Sequence, residues 1–289
     1  MERETHQGRP LPRPGHDLED QGLGFDLGTL DRRGLLRVLG LGAVAVGVAA
    51  CGSPPAASAP TTSPGEIPDE TAGPYPGDGS NGANVLTQSG IVRSDIRSSF
   101  GGPTGVAEGV PMTLELTVAD LARNGVPFTG AAVYVWHCNR DGEYSLYTDA
   151  IAGENYLRGV QIADARGRVR FTSIVPACYA GRWPHVHFEV YPEAGSITDA
   201  ANALATSQVA LPEDTCRQVY GQPGYEQSVT NLADVTLASD NVFSDDGGAS
   251  QLATVSGDVA RGYTVVLPVR VDTRTTPSAG GPGGGRPPR

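Results

Sequence analysis

Cys178-Tyr179-Ala180-Gly181-Arg182-Trp183-Pro184-His185-Val186-His187-Phe188-Glu189 is the stretch whose reading decides the fold. From Pro184 to Tyr191 it reads as a strand. Side chains alternate faces along a strand, so His185 and His187 share a face, and Glu189 follows in the same alternation. Two imidazoles side by side on one strand can meet one metal ion.

Working outward, other segments have the same character. Met112 to Val118 alternates with period two. Ala131 to His137 is rich in Val, Tyr and Trp. Arg168 to Ile174 alternates after a turn signal at Asp164 to Gly167. Ile91 to Ile96, Val235 to Phe243 and Tyr263 to Val271 complete the strand candidates. Ile197 to Ala210 reads as a helix with Thr198 or Asp199 as its N-cap, and Glu213 to Tyr220 as a second, shorter one. The 39 glycines and 23 prolines suit short strands joined by turns. The fold class is therefore all-β, an antiparallel β-sandwich with one or two short helices in the C-terminal part. No period of the kind that builds repeat folds is present. The formal charge of −11 argues against a nucleic-acid partner, and all 21 basic residues are arginine.

The ends carry a different signal. Residues 1–30 are polar and read as disordered. Asp31-Arg32-Arg33-Gly34-Leu35-Leu36 then leads into an apolar run from Val38 to Ala50, too short to span a bilayer but long enough for a signal peptide. The paired arginines resemble a twin-arginine export signal. Val48-Ala49-Ala50-Cys51 resembles a bacterial lipoprotein cleavage box, in which Cys51 becomes the lipidated N-terminus. Residues 1–50 are thus read as a leader, 51–66 as a flexible tether, 67–272 as the folded domain and 273–289 as a disordered Pro/Gly-rich tail. The expected location is the outer face of the cytoplasmic membrane, held only by the lipid, or outside the cell if shed. His6 and His16 fall in the leader, so histidine chemistry is confined to His137, His185 and His187. Export also favours disulfides. Cys138, Cys178 and Cys216 allow one bridge, with Cys178–Cys216 the expected pair, or three buried small apolar side chains.

The metal is constrained by its neighbours. Zinc takes three or four His, Cys or carboxylate ligands, and two histidines with one carboxylate suit ferrous iron, a part Glu189 could fill. The tyrosines suggest another answer. Tyr179 lies just ahead of the histidine strand, and Tyr144 follows an Asp-Gly turn beyond the Trp136 strand. A phenol ionises near neutrality only beside a strong positive charge, such as a ferric ion. His137 points to the opposite face from Trp136 and reads as a supporting or core residue. Trp136 and Trp183 read as core.

Trp136-His137-Cys138-Asn139, Gly142-Glu143-Tyr144, Cys178-Tyr179 and Arg182-Trp183-Pro184-His185-Val186-His187-Phe188 together resemble the motifs of the intradiol ring-cleavage dioxygenases. Asn155-Tyr156-Leu157-Arg158-Gly159 and Thr71-Ala72-Gly73-Pro74-Tyr75 are similar too, so the resemblance runs from about Glu70 to Tyr191. It implies a non-haem Fe(III) held by Tyr144, Tyr179, His185 and His187, with Tyr179 and His187 axial. It also implies that Arg182 faces the substrate, Tyr75 lines the pocket, and Tyr179 accepts a substrate proton. The implied reaction cleaves a catechol-type ring between its two hydroxylated carbons with O2, giving a muconate-type diacid. The link from Tyr179 to His185 is shorter than in the better-known members, so the roof of the pocket is expected to differ. A competing reading is a non-catalytic surface lipoprotein that keeps the sandwich and binds aromatics or a partner protein.

Overall fold

Buried and more exposed positions alternate along Pro111–Asp120, Arg168–Ile174 and Gly262–Val271, whereas Ala132–Trp136 and His185–Tyr191 are buried throughout, and the two kinds of strand belong to different sheets. A computed structural model describes residues 62–277, together with the backbone of Thr5–His6 and Arg9–Pro10, which pair antiparallel. The apolar leader run, Cys51 and residues 278–289 lie outside the described residues. In chain order the domain contains β1 (Pro111–Asp120), β2 (Val126–Pro127), β3 (Ala132–Trp136), β4 (Arg158–Ile162), β5 (Arg168–Ile174), β6 (His185–Tyr191) and β7 (Ala205–Ala210). Helices α1 (Glu213–Tyr220) and α2 (Glu226–Ala233) follow, then β8 (Thr254–Asp258) and β9 (Gly262–Val271). One sheet runs β8-β9-β1, with β5 and the short β2 both pairing along the other edge of β1; the second runs β4-β3-β6-β7. Pairing is antiparallel except between β9 and β1, which run parallel and so depart from the expected arrangement.

The main core lies between the sheets. Leu114, Leu116 and Val118 of β1 and Val265 and Val269 of β9 pack with Val133 and Val135 of β3 and Val186, Phe188 and Val190 of β6. The opposite face of the second sheet is covered as well. Tyr134 and Trp136 of β3 and Tyr191 of β6 join Ala72, Val85, Leu86 and Ile91 in a second cluster; these four lie in the stretch 70–91 by which the chain enters the domain, the entry segment. Every residue of β6 is consequently buried. His185 and His187 lie on that second face, under the entry segment.

Several segments depart from the sequence reading. Ile197 to Ala210 is not a helix: Asp199 caps only the short 3-10 turn Ala200–Asn202, and Ala205–Ala210 is β7. The Thr206-Ser207-Gln208-Val209 run suits a ladder on β6, and that tertiary pairing outweighs a weak local helix pattern. Val235 to Phe243 is a series of turns around Asp240, not a strand. Ile91 to Ile96 makes only isolated bridges, Val92 to Val160 and Asp95 to Thr172. Order also runs past the expected 67–272 limits: Ser63 Oγ donates to Asp272 Oδ2 at 2.7 Å and Thr275 Oγ1 to Glu66 Oε1 at 2.8 Å. The Cys178–Cys216 pair does not form. Cys138, Cys178 and Cys216 are all free and buried. Among the described residues no helix is long and apolar enough to cross a membrane.

Candidate metal centre

His185 and His187 take up the one face of β6 that the alternation gives them. A carbonyl oxygen only accepts, so His185 Nδ1, 2.5 Å from Trp183 O, carries the ring proton and Nε2 presents its lone pair. Tyr179 Oη is 3.2 Å from that Nε2, and His187 Nε2 is 3.1 Å from it. The His187 ring stacks on Trp136, its register partner on β3, with centroids 4.8 Å apart and planes 5° off parallel. Trp136 is therefore not merely core; it sets the plane of His187. Tyr144 closes the group, its ring centroid 6.0 Å from Tyr179 and 6.3 Å from His187. Asn139 builds the turn that delivers it, its Oδ1 accepting from Asp141 N and Glu143 N, with Gly142 at φ 86°.

Tyr144 Oη and His187 Nδ1 are buried without a hydrogen-bond partner. A buried phenol hydroxyl left unpaired costs free energy, so its presence asks for a partner. Burial, with Tyr179 next to it, pushes the Tyr144 phenol well above its ordinary value. Burial pushes Tyr179 up to about 12, against the pull of Arg182. Burial and then Arg182 push the His185 imidazole well below its usual range, and the His185 ring adds to the same effect on His187. At neutral pH the cluster alone is thus two neutral phenols and two neutral imidazoles. Such a set of N and O donors fits a hard, multiply charged cation, whose charge would make phenolates of the phenols.

Arg182 stands beside this group with its side chain 14 % exposed. Its Nε donates to Asp240 Oδ2 at 2.9 Å and its Nη2 to Gln208 Oε1 at 2.7 Å. Burial opposes its charge, but Tyr179 and Asp240 more than offset that and hold the guanidinium protonated. Tyr75 lies on the other side, 4.9 Å from the Tyr144 ring. The entry segment is seated by buried Arg158, which donates to Tyr75 O at 2.9 Å, Pro76 O at 2.7 Å and Ser145 O at 2.9 Å.

Other candidates fall outside the group. His137 is buried, with Nε2 2.7 Å from Ser173 Oγ and Nδ1 2.8 Å from Cys138 O. Glu189 accepts from Tyr191 Oη at 2.7 Å, and burial followed by the neighbouring Asp78 pushes its carboxyl up to about 8. Among the described residues no three His, Cys, Asp or Glu side chains are placed to share a metal ion, so Glu189 does not complete a two-histidine, one-carboxylate triad. Trp183 is core, its Nε1 donating to Leu211 O at 2.9 Å. Sequence reasoning missed Asp240 and Gln208. Ser239-Asp240-Asn241 is a turn signal that could have marked the loop, but nothing local links Asp240 to a residue 58 positions earlier.

Comparison with known proteins finds likeness over the same part of the chain. Residues 97–196 match the family described as Dioxygenase, a segment that contains Tyr144, Tyr179, Arg182, His185 and His187. A chlorocatechol 1,2-dioxygenase from Rhodococcus opacus is 39 % identical over 56 residues, covering 19 % of this chain and 22 % of that protein. A catechol 1,2-dioxygenase from Pseudomonas sp. is 40 % identical over 72 residues, 25 % of this chain and 23 % of that protein. The chain thus spans under a quarter of the length of these curated relatives. An intradiol ring-cleavage dioxygenase from Tetranychus urticae shares the fold, with a TM-score of 0.57 and 21 % identity over 72 % of this chain and 94 % of that one.

Proposed function

From the match of residues 97–196 to the Dioxygenase family and the fold shared with an intradiol ring-cleavage dioxygenase, we propose that the chain is an intradiol ring-cleavage dioxygenase that cleaves a catechol-type ring between its two hydroxylated carbons with O2, using non-haem ferric iron and giving a muconate-type diacid. The observation that carries the proposal is the convergence of Tyr144, Tyr179, His185 and His187, with the Tyr144 hydroxyl buried and unpaired inside it. A ferric ion held by these four side chains would supply Lewis acidity and the positive charge that ionises a phenol at neutral pH.

The chain's own groups then divide the work. Tyr179, the less buried of the two tyrosines, would be the base: once ionised beside a cation, its phenolate Oη can take a proton from an incoming catechol hydroxyl and become a neutral phenol. Arg182 keeps its charge at any physiological pH and donates hydrogen bonds to negative charge developing on the ring and the oxygen attacking it. Tyr75 forms part of the wall against which the aromatic ring packs. Trp136 holds the His187 plane by stacking, so that ring needs no reorientation during turnover.

The test combines iron content, a visible spectrum and O2 uptake with plain and substituted catechols. The expected result is a coloured, iron-containing protein that consumes O2. A colourless protein with stoichiometric zinc and no O2 uptake would overturn the proposal and favour a non-catalytic binding protein. The leader further supports export and anchoring through a lipid on Cys51. Expression of Cys51→Ala should then release the domain from the membrane fraction; unchanged fractionation would count against the anchor.

A further inference from the structure

We propose that Asp240 is the positioning residue of this site: its carboxylate aims the Arg182 guanidinium and braces the residue that orients His185. The inference rests on the dioxygenase reading above. An arginine side chain has many rotamers, and a catalytic cation helps only if it is already aimed before charge develops. Arg182 sits in the short link between Tyr179 and β6, which alone gives it no fixed direction. Asp240 supplies one. Its Oδ2 accepts from Arg182 Nε at 2.9 Å and its Oδ1 from Nη2 at 3.5 Å, while Gln208 Oε1 takes Nη2 at 2.7 Å. Nη1 takes part in none of these contacts and remains the group that can reach a substrate.

The second arm runs through Trp183. Asp240 Oδ2 also accepts from Trp183 N at 2.7 Å, and Trp183 O receives the Nδ1 proton of His185 at 2.5 Å. One carboxylate thus ties the guanidinium and the imidazole to the same turn. That turn is itself fixed, because Asp240 Oδ1 accepts from Val242 N at 2.8 Å and Phe243 N at 3.1 Å. Each oxygen faces at least two N–H groups, so an amide cannot replace the carboxylate: its NH2 would meet donors on whichever side it lay. The Asp240 side chain is fully buried while the Arg182 side chain keeps 14 % exposure, which places the anchor inside and the working end outward. A buried ion pair is a poor way to gain stability alone, since apolar residues of similar volume do as well. Its use here is geometric.

The experiment is a double-mutant cycle on the iron-loaded protein with Asp240→Asn, Arg182→Gln and the pair together. Iron per chain, thermal midpoint, kcat and KM for catechol, and the dissociation constant of 4-nitrocatechol from its visible absorbance are read for each. Each single change is expected to lower kcat per bound iron about 10²-fold, the usual size for one pre-organised donor. In kcat per bound iron the double variant should be no worse than about threefold below the poorer single, because Asp240 acts on turnover through Arg182, while its second arm, through Trp183 to His185, is read in iron per chain. The weakening of 4-nitrocatechol should be non-additive in the same way. A merely structural Asp240 would lower the thermal midpoint and iron content of Asp240→Asn but leave kcat per bound iron unchanged. That result, or factors that multiply in the double variant, overturns the proposal. If Asp240→Asn does not fold, Asp240→Glu, which keeps the charge and adds one methylene, carries the same cycle. A wild-type protein that holds iron yet consumes no O2 with any catechol removes the dioxygenase reading and this one together. An active wild type with multiplying factors removes this one alone.

Discussion

Tyr144 carries its hydroxyl into a buried position with no hydrogen-bond partner. If the residue were only structural, Tyr144→Phe would remove an unsatisfied group and leave stability unchanged or slightly raised. If the hydroxyl is a metal ligand, the metal-free protein should still keep its thermal midpoint or gain a little. The iron-loaded protein should then change colour, bind iron more weakly and lose turnover by about 10²-fold or more, as expected for removal of a group that acts electrostatically at the reacting centre. Melting curves with and without iron, an iron titration and O2 uptake check this together. Unchanged colour and turnover would remove Tyr144 from the site. At this scale the sequence was informative where chemistry sits in a local pattern: two histidines at strand spacing, an arginine three residues ahead, and tyrosines after recognisable turns. It was silent on Asp240 and Gln208, whose roles come from contacts 58 and 26 residues away from Arg182.

The entry segment is the element that covers the second face of the β4-β3-β6-β7 sheet, and Arg158 of β4 holds it there. Its buried guanidinium donates to Tyr75 O, Pro76 O and Ser145 O, and to Tyr134 Oη at 3.0 Å. Arg158→Met keeps the volume but takes the donor from Tyr75 O and Ser145 O, each at a desolvation cost, while Pro76 O keeps the hydrogen bond from Tyr134 Oη at 2.7 Å. The expected loss is about 3 kcal/mol, or a fall of about 6 °C or more in thermal midpoint, with proteolytic cleavage appearing first within residues 70–90. A midpoint within about 2 °C of wild type would show that the segment is seated by its apolar residues instead. Gly73 in the same segment has φ 70°, and a Cβ there would lie 3.4 Å from His187 Cε1. Gly73→Ala should cost about 1 kcal/mol of stability from the backbone alone. It should lower turnover by more than that stability change implies, because the methyl presses on a ring already stacked against Trp136; equal kcat at full folding would refute the link. Element by element, strict alternation was legible almost to the residue, as Arg168–Ile174 and β6 show. Ile197 to Ala210 and Val235 to Phe243 were not, because a strand whose ladder is supplied by β6 and a loop organised by one buried carboxylate have no local periodicity to read.

At the scale of the whole domain, buried titratable groups of opposite kind set the pH dependence of folding. Burial lowers His137 from the ordinary imidazole value of 6.5 to about 4, and lowers His185 and His187 well below that ordinary value too. Between those limits the unfolded chain holds the protons and the folded domain does not, so stability rises with pH and is lost as pH falls below about 6.5. Burial acts the other way on the glutamates, raising Glu189 from 4.5 to about 8 and Glu70 from 4.5 to about 7. There the folded domain holds the proton and the unfolded chain does not, so stability falls as pH rises from about 4.5 to about 8. Where the windows overlap, three imidazoles outweigh two carboxyls, and above about pH 6.5 only the glutamates remain. The metal-free domain should therefore be most stable near pH 6.5 and weaken on both sides. The limiting slope is about 1.4 kcal/mol per pH unit for each proton difference. Urea unfolding of the metal-free protein at intervals from pH 4 to 9 measures the curve. Glu189→Gln should flatten the alkaline limb, because a neutral amide can stand in for the protonated carboxyl beside Tyr191, and His137→Gln should flatten the acid limb by removing one of the three imidazoles. Stability that kept rising from pH 6.5 to 8 would mean that Glu189 is ionised in the folded domain, and that the second face of the β4-β3-β6-β7 sheet carries a buried negative charge two residues from His187.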